Sequence, residues 1–387
     1  MRLGVWITAV VLGVGGCGAV AHVDSRETRS TMHVYLGSYT QDRSEGVFHF
    51  TFDVETGALT RRGAYGGVTN PSFLALHPDG GTLYAVAEAG RDDGATAFAI
   101  DAETGGLTLL NTQTTDGRAA CHVAVDPTGR AAVVSYYGSG SVASFPLLED
   151  GWLGPAVSVH RHEGSSIDAQ RQEGPHAHST NFDATGRFAV TADLGLDQLV
   201  VYAFDAETGE LTPHDPPFAA VHGGAGPRHL AFHPTLAVAY VINELDATVT
   251  TLAWDAAAGT LTPRQTVSTL PEGYDGRRSC AEVVVHPSGR FVYGSNRGHD
   301  SLAAFAVDPE DGALSPLGHF ASGGEEPRNF NIDPSGRWLI ACNQNTDNVQ
   351  VFAVDEETGG LTPTGEPVSV PMPVCVRFRE GVGKPTD

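Results

Sequence analysis

A short acidic, glycine-containing phrase recurs seven times along the chain and limits its possible folds more than any other feature. It reads DVETGALT (53–60), DAETGGLT (101–108), LEDGWLG (148–154), DAETGELT (205–212), DAAAGTLT (255–262), DPEDGALS (308–315) and DEETGGLT (355–362). The spacing is about 50 residues, which is the period of propeller blades and not of helical solenoids. Aspartate followed by glycine is turn chemistry, so each phrase marks a chain reversal at the same place in a repeated unit.

Other recurrences fill in the unit. Alternating runs such as GVFHFTFD, QLVVYAFD, SLAAFAVD and NVQVFAVD lead into the phrases, and each is preceded by a further apolar run: VYLGSYT (34–40), LYAVAEA (83–89), AVVSYYG (132–138), FAVTADLG (188–195), YVINELD (240–246), FVYGSNRG (291–298) and LIACNQNT (339–346). Earlier still come PSFLALHPDG, ACHVAVDPTG, HSTNFDATG, PRHLAFHPT, AEVVVHPSG and PRNFNIDPSG, with a seventh copy, PVCVRF (373–378), at the far end of the chain. Period-2 and fully apolar strands separated by Gly, Pro and Asp turns dominate, and no amphipathic helix of convincing length is present. Four strands taken seven times predict an all-β, seven-bladed propeller with four-stranded blades. The offset of the last copy predicts ring closure, with residues 33–40 opening a blade whose innermost strand is 373–378. A length of 387 residues would also suit two domains, but the period excludes that division.

Let the strands of a blade run A to D from axis to rim. An antiparallel meander then places the A–B and C–D turns on one face and the B–C and D–A connections on the other. The first face carries the regular HPDG-like and DAETG-like turns and reads as scaffold. The second collects the starts of the A strands and the ends of the B strands, where the sequence is irregular and polar. His122, His176, His178, Arg228, His229, Glu282, Arg328 and Asn329 lie at A starts, and Glu88, Tyr137, Asp193, Asn243, Glu244, Asn296, Arg297, Asn343 and Gln344 at B ends. The long connection between Leu153 and His176 is expected to act as a lid. Function on irregular loops above a rigid ring is the general expectation.

A formal net charge of −23 argues against a nucleic-acid partner. Lysine occurs once, at Lys384, so an anionic substrate would have to be held by arginine. Arg228, Arg297 and Arg328 fall on three consecutive blades of one face, which suits a forked anion clamp; the plainer role is bracing loops through backbone carbonyls. Glu244 ends a B strand in the blade of Arg228. It is either an ion-pair partner or a base that takes a proton from water attacking an ester or lactone carbonyl. His176 and His178 would point the same way on a strand and offer a metal pair, although no third ligand is specified. A histidine acting as acid or base is the alternative. There is no G-x-S-x-G elbow, so water is the expected nucleophile. Cys121, Cys280, Cys342 and Cys375 lack metal-ligand spacing and read as buried thiols.

GPHAHS (174–179), DLGLDQLVVY (193–202), GAGPRHLAFHP (224–234), INEL (242–245), SNRGHDSLAAF (295–305), PRNFNIDPSG (327–336) and PMPVCVRF (371–378) together resemble the propeller lactonase family. That family includes bacterial propeller-type 6-phosphogluconolactonases and, more distantly, carboxy-cis,cis-muconate lactonising enzymes. The resemblance spans residues from about 33 to about 380. It implies no obligatory cofactor and a site of one histidine, two arginines and one glutamate; with no third ligand specified, no metal is expected. By motif these fall on His178 or His176, Arg228, Arg297 and Glu244; from their place on the same face, His176, His229, Arg328, Asn243 and Asn296 are expected to bind substrate. The implied reaction is hydrolysis of a sugar lactone, foremost 6-phospho-D-glucono-1,5-lactone of the pentose phosphate pathway; the sequence carries no clear oligomer signal, and a monomer is expected. A lactonase or lactonising enzyme acting outside the cytoplasm on a non-phosphorylated substrate, and a non-catalytic binding scaffold, are the competing expectations.

The first residues read differently. Arg2 precedes an apolar run from Val5 to Val14, and Val14-Gly15-Gly16 stands before Cys17, as in a bacterial lipoprotein signal whose cysteine takes the lipid. The run is too short to span a bilayer as a helix. The expected organisation is therefore a signal and linker over 1–31, a propeller over 32–380 and a tail over 381–387, giving an exported protein anchored to the membrane through Cys17. A start at Met32 would make it cytoplasmic instead.

Overall fold

Each repeat folds as an antiparallel meander because its four strands are short, apolar on at least one face and separated by turns only a few residues long. The computed structural model describes residues 31–41, 45–90 and 93–379. These form 28 strands in seven four-stranded sheets, with no helix among the described residues. This is the expected seven-bladed propeller. The innermost strands of six sheets are β4 (Leu74–Leu76), β8 (Ala120–Val125), β12 (Ala177–Phe182), β16 (Pro227–Phe232), β20 (Cys280–Val285) and β24 (Pro327–Ile332). In the seventh sheet β28 (Pro373–Arg379) is innermost and pairs antiparallel with β1 (Thr31–Ser38), placing Arg377 opposite Tyr35. The ring therefore closes as the offset of the repeat predicts. The expected signal segment, with Cys17, and the tail 381–387 lie outside the described residues.

Apolar faces of adjacent blades pack on one another. Between the fourth and fifth blades, for example, Phe188, Val190, Leu230, Val241, Leu252 and Trp254 form one buried cluster. Each such side chain contributes about 1.5–3 kcal/mol on burial.

The repeated phrase also links neighbouring blades. Tyr35, Tyr84, Tyr240 and Tyr293 donate their hydroxyls to the carbonyls of Gly105, Gly151, Gly312 and Gly359 in the C–D turn of the next blade, at 2.8–3.0 Å. Gly105 and Gly259 show why the turn needs glycine. Both have positive φ, and a Cβ would stand 2.4 Å from the ring of His33 or of Phe188. On the same face the histidines of the A–B turns bond across blades, His77 to Gly129 O, His233 to Gly289 O and His286 to Gly336 O, each at 2.8–2.9 Å.

Candidate active site

Five inner strands share one irregularity with residues of the expected face at or beside it, and β28 slips in the same way at Val374. The register slips between Ala120 and His122, Ala177 and Ser179, Pro227 and His229, Cys280 and Val283, and Pro327 and Asn329. Such a bulge leaves a residue unpaired and re-aims its side chain. In four of the five blades the unpaired residues are Cys121, His178, Arg228 and Arg328, so consecutive residues such as Arg228 and His229 both reach the mouth of the ring. Strict alternation would have sent one of them away. The bulge also separates the two histidines expected as a metal pair. His176 lies before the strand, stacks on Tyr137 at 4.4 Å and donates from Nδ1 to Tyr137 O at 2.9 Å. His178 turns inward, its ring between those of Tyr137 and His229. Among the described residues no group of three or more His, Cys, Asp or Glu is arranged to hold a metal ion.

Glu244 is the centre of the face. Arg228 Nε lies 3.0 Å and Arg297 Nη2 2.9 Å from its Oε2, and Arg171 Nη2 lies 2.7 Å from Oε1. Burial pushes its carboxyl up, but Arg297, Arg228 and Arg171 outweigh burial and hold it well below the usual carboxylate range. A carboxylate held so firmly as an anion is a weak base. Burial and the repulsion of Arg297 and Arg328 push the Arg228 guanidinium down to about 10, still cationic at neutral pH. Arg228 and Arg297 also donate to Ala281 O (2.6 Å) and Cys280 O (2.8 Å).

Arg171 is absent from the sequence-based candidates. It sits in the connection expected to be a lid, of which the structure makes two parts. Residues 158–161 are β11 (Ser158–Arg161), the outer strand of the third blade, so His160 and Arg161 leave the mouth. The remainder is tied down by His162 to Asp193 (2.6 Å) and Tyr202 (2.7 Å), Ser166 to Asp197 (2.5 Å) and Gln172 to Leu194 O (2.9 Å). Only the Arg171 side chain, 42% exposed, reaches out of this pinned loop to Glu244.

Arg328 differs from the other three guanidinium groups. It is partly exposed, lies over the Tyr39 ring at 5.5 Å, and has no hydrogen bond or ion pair through its guanidinium among the described residues. Arg328 therefore offers open donors at the mouth. His178 supplies the complementary group. Burial, then the nearby Arg228, His229 and Arg328, hold its imidazole well below the ordinary histidine value, so it is neutral at pH 7. Cys121 Sγ lies 3.9 Å from its Nδ1, and burial pushes that thiol up to about 12, far from a reactive thiolate.

The remaining expected binding residues are structural. Arginine can only donate, so the 3.2 Å contact of Arg228 Nη1 with His229 Nε2 assigns the lone pair to Nε2 and the proton to Nδ1. That proton is donated to Glu282 Oε1 at 2.8 Å, and Glu282 also accepts from Asn329, whose Oδ1 receives Val376 N–H at 2.9 Å. The network runs through four blades and braces Arg228 from behind; His229 has no nitrogen left for substrate. Asn243 is fully buried and donates to Thr248 and Thr250, and Asn296 bonds Thr269 through both ends of its amide. Asn243 thus holds its B–C turn and Asn296 the D–A connection at Thr269, in place of the substrate contact expected of them.

Residues 33–378 match the family model described as lactonase, 7-bladed β-propeller. The chain is 39% identical over 344 residues to a 6-phosphogluconolactonase of Bacillus subtilis, covering 89% of this chain and 97% of that one. It is 33% identical over 306 residues to a 6-phosphogluconolactonase of Formosa agariphila, covering 78% and 86%. The solved structure of a periplasmic gluconolactonase of Pseudomonas aeruginosa superposes with a TM-score of 0.85 at 34% identity, covering 90% of this chain and 99% of that one. With the ring, the arginine-lined mouth and this similarity over nearly the whole length, the chain belongs to the lactonase family of seven-bladed β-propellers, hydrolases that act on lactone esters.

Proposed function

We propose that the chain hydrolyses a sugar lactone at the mouth formed by Arg328, His178 and the Arg228–Glu244–Arg297 cluster, and that the substrate is 6-phospho-D-glucono-1,5-lactone. One observation carries the phosphorylated substrate. Four guanidinium groups, from Arg171, Arg228, Arg297 and Arg328, gather around Glu244, with Glu326 3.9 Å from Arg297 and Glu88 near Arg328 as further carboxylates, in a chain of net charge −23. Such a concentrated positive charge is the complement of a dianionic phosphate.

In the reaction, a water oxygen attacks the lactone carbonyl carbon and gives its proton to neutral His178. The oxyanion that forms is met by the open donors of Arg328. Collapse restores the carbonyl, breaks the bond to the ring oxygen, and returns the proton from His178 to that oxygen. Glu244 is the anionic keystone that holds three guanidinium groups in place, and His178 takes the role of base that the sequence suggested for Glu244. Because this class of ester opens unaided in water, orientation and charge stabilisation suffice.

The test is lactone opening above the spontaneous rate across a panel of phosphorylated and plain sugar lactones. Preference for the phosphorylated compounds supports the reading, and equal rates on both would remove the phosphate from it. The similarity to a periplasmic gluconolactonase supports a second reading, a non-phosphorylated lactone opened outside the cytoplasm, in keeping with the lipoprotein-like Val14-Gly15-Gly16-Cys17. Incorporation of labelled lipid that is lost on Cys17→Ala, together with preference for the plain lactone, would select it.

A further inference from the structure

The axis of the ring holds a second cavity, on the other side of the layer that braces Arg228. Its volume is about 440 Å³, within the range of small-ligand sites. Phe73, His122, His229 and Glu282 form its ceiling, and partly exposed Phe182 and Phe232 stand at its far end, towards the A–B turns. The face that the turns mark as scaffold is thus open at its centre.

The middle level of this cavity is unusual. Asn181, Asn331 and Arg377 occupy the same register on β12, β24 and β28, opposite Val190, Ile340 and Tyr35. At that level β8 and β16 carry Ala124 and Ala231, which leave the space open. Among the described residues, the three polar side chains bond only within their own strands. Asn181 Nδ2 donates to Ser179 Oγ at 3.4 Å, Asn331 Oδ1 accepts from Ile332 N–H at 2.9 Å, and Arg377 Nη1 donates to Val376 O at 2.8 Å. Arg377 lies over the Phe73 ring at 4.5 Å and has no ion pair among the described residues. The one carboxylate above it, Glu282, already accepts from His229, Asn329 and Val283 N–H. A guanidinium fork and amides therefore line a space whose far end is aromatic.

We propose that this axial cavity is a second binding site, for a small organic monocarboxylate. Its carboxylate sits between Arg377, Asn331 and Asn181, below Glu282, and its short apolar tail points to Phe182 and Phe232. A guanidinium matches a carboxylate with two parallel hydrogen bonds, and the apolar end rejects a second charge. The site is distinct from the lactone mouth and does not rest on the reading of that mouth.

The experiment is calorimetric titration of the full chain with butyrate, and with butyramide as the uncharged control. Saturable butyrate binding, at least about tenfold tighter than butyramide, is expected in the unaltered protein and in Arg328→Met. Arg377→Met keeps the side-chain length and the contact with Phe73 and should abolish binding. Asn331→Asp, which places a negative charge in the site, should do the same and decides the matter if Arg377→Met fails to fold. Absence of saturable binding, or butyrate binding untouched by the altered residue in whichever variant folds, overturns the proposal. Loss of binding in Arg328→Met would assign the butyrate to the lactone mouth and overturn it equally.

Discussion

The two ends of the ring are made from the same 28 strands, yet they solve opposite problems. At the turn end, a few devices recur: a histidine to the next blade's glycine carbonyl at three A–B turns, an aspartate accepting from its own turn at three others, and a tyrosine hydroxyl to the next C–D turn in four blades. At the mouth, neighbouring blades present different side chains. Cys121, His178, Arg228, Ala281 and Arg328 occupy equivalent bulged positions and differ in charge, size and protonation. Repetition at one end supplies a rigid frame, which leaves each blade free to contribute a different group at the other. Substitutions at the mouth should therefore act on turnover and those at the turns on stability.

The largest expected effect is at His178. His178→Gln should lower the catalysed turnover by about 10²–10⁴-fold with little change in KM, since it removes a proton acceptor and no anion contact. The accompanying pH profile is a sharper test. A base held well below the ordinary histidine value stays neutral as pH drops past 6.5, so the acid limb of kcat/KM should lie well below that pH. An acid limb at or above 6.5 would assign the base to another group.

Arg328 and Arg297 are the next contrast, one guanidinium with open donors and one tied to Glu244. Arg328→Met should reduce kcat/KM by about 10²–10³-fold and leave the melting temperature nearly unchanged, because its guanidinium makes no hydrogen bond among the described residues. Arg297→Met should lower the melting temperature, since Glu244 and Cys280 O each lose a buried partner. Equal losses of stability in the two variants would break the distinction between an open and a tied arginine.

Glu244→Gln tests the keystone through stability. Removing the charge from a buried cluster of this kind costs about 3–5 kcal/mol, read by urea unfolding at pH 7. The pH dependence has a definite sign. The folded-state pKa of Glu244 is depressed, so its contribution is complete above the unfolded value of 4.5 and is lost as pH falls towards the folded value. The gap between wild type and Glu244→Gln should be constant from pH 5 to 7 and narrow progressively below about 4.5. A gap that widens in acid would mean that the guanidinium groups do not hold the carboxylate.

Much of this frame was legible in the sequence because it repeats. Seven phrases at one period specify the blades, and the displaced copy at 373–378 specifies how the ring closes. Arg228, Glu244, Arg297 and His178 could be placed on one face because A starts and B ends share a rim. What stayed hidden depends on single departures from the repeat. The bulges break the period-2 rule at the residues that matter, so His176 and His178 part company and Arg328 comes forward. Arg171 lies in a non-repeating loop, where AQRQEG carries no signal that its arginine reaches Glu244 two blades further along the chain. Asn243 and Asn296 read as binding groups because they are polar at strand ends, but hydroxyls five to seven residues on, at Thr248, Thr250 and Ser301, take up their amides. The axial cavity was hidden for a related reason: Asn181, Asn331 and Arg377 are far apart in sequence and meet only through the register of three strands.

The smallest expected effect is also the strictest check on the comparison between the ends. His286 lies at the turn face, buried, with Nε2 donating to Gly336 O at 2.8 Å and Nδ1 accepting from Ser288 N–H at 3.1 Å. The proton on Nε2 follows from the carbonyl partner, which can only accept. His286→Ala deletes one interblade hydrogen bond and leaves one buried carbonyl unsatisfied, a loss of about 1–3 kcal/mol. In a domain of this size that lowers the melting temperature by a few degrees. Because His286 caps the sixth blade at the end opposite Arg297, kcat/KM should stay within about twofold of wild type, well under 1 kcal/mol of transition-state energy. A much larger drop in turnover, with the melting temperature only slightly lowered, would show that the turn end does more than hold the blades in register.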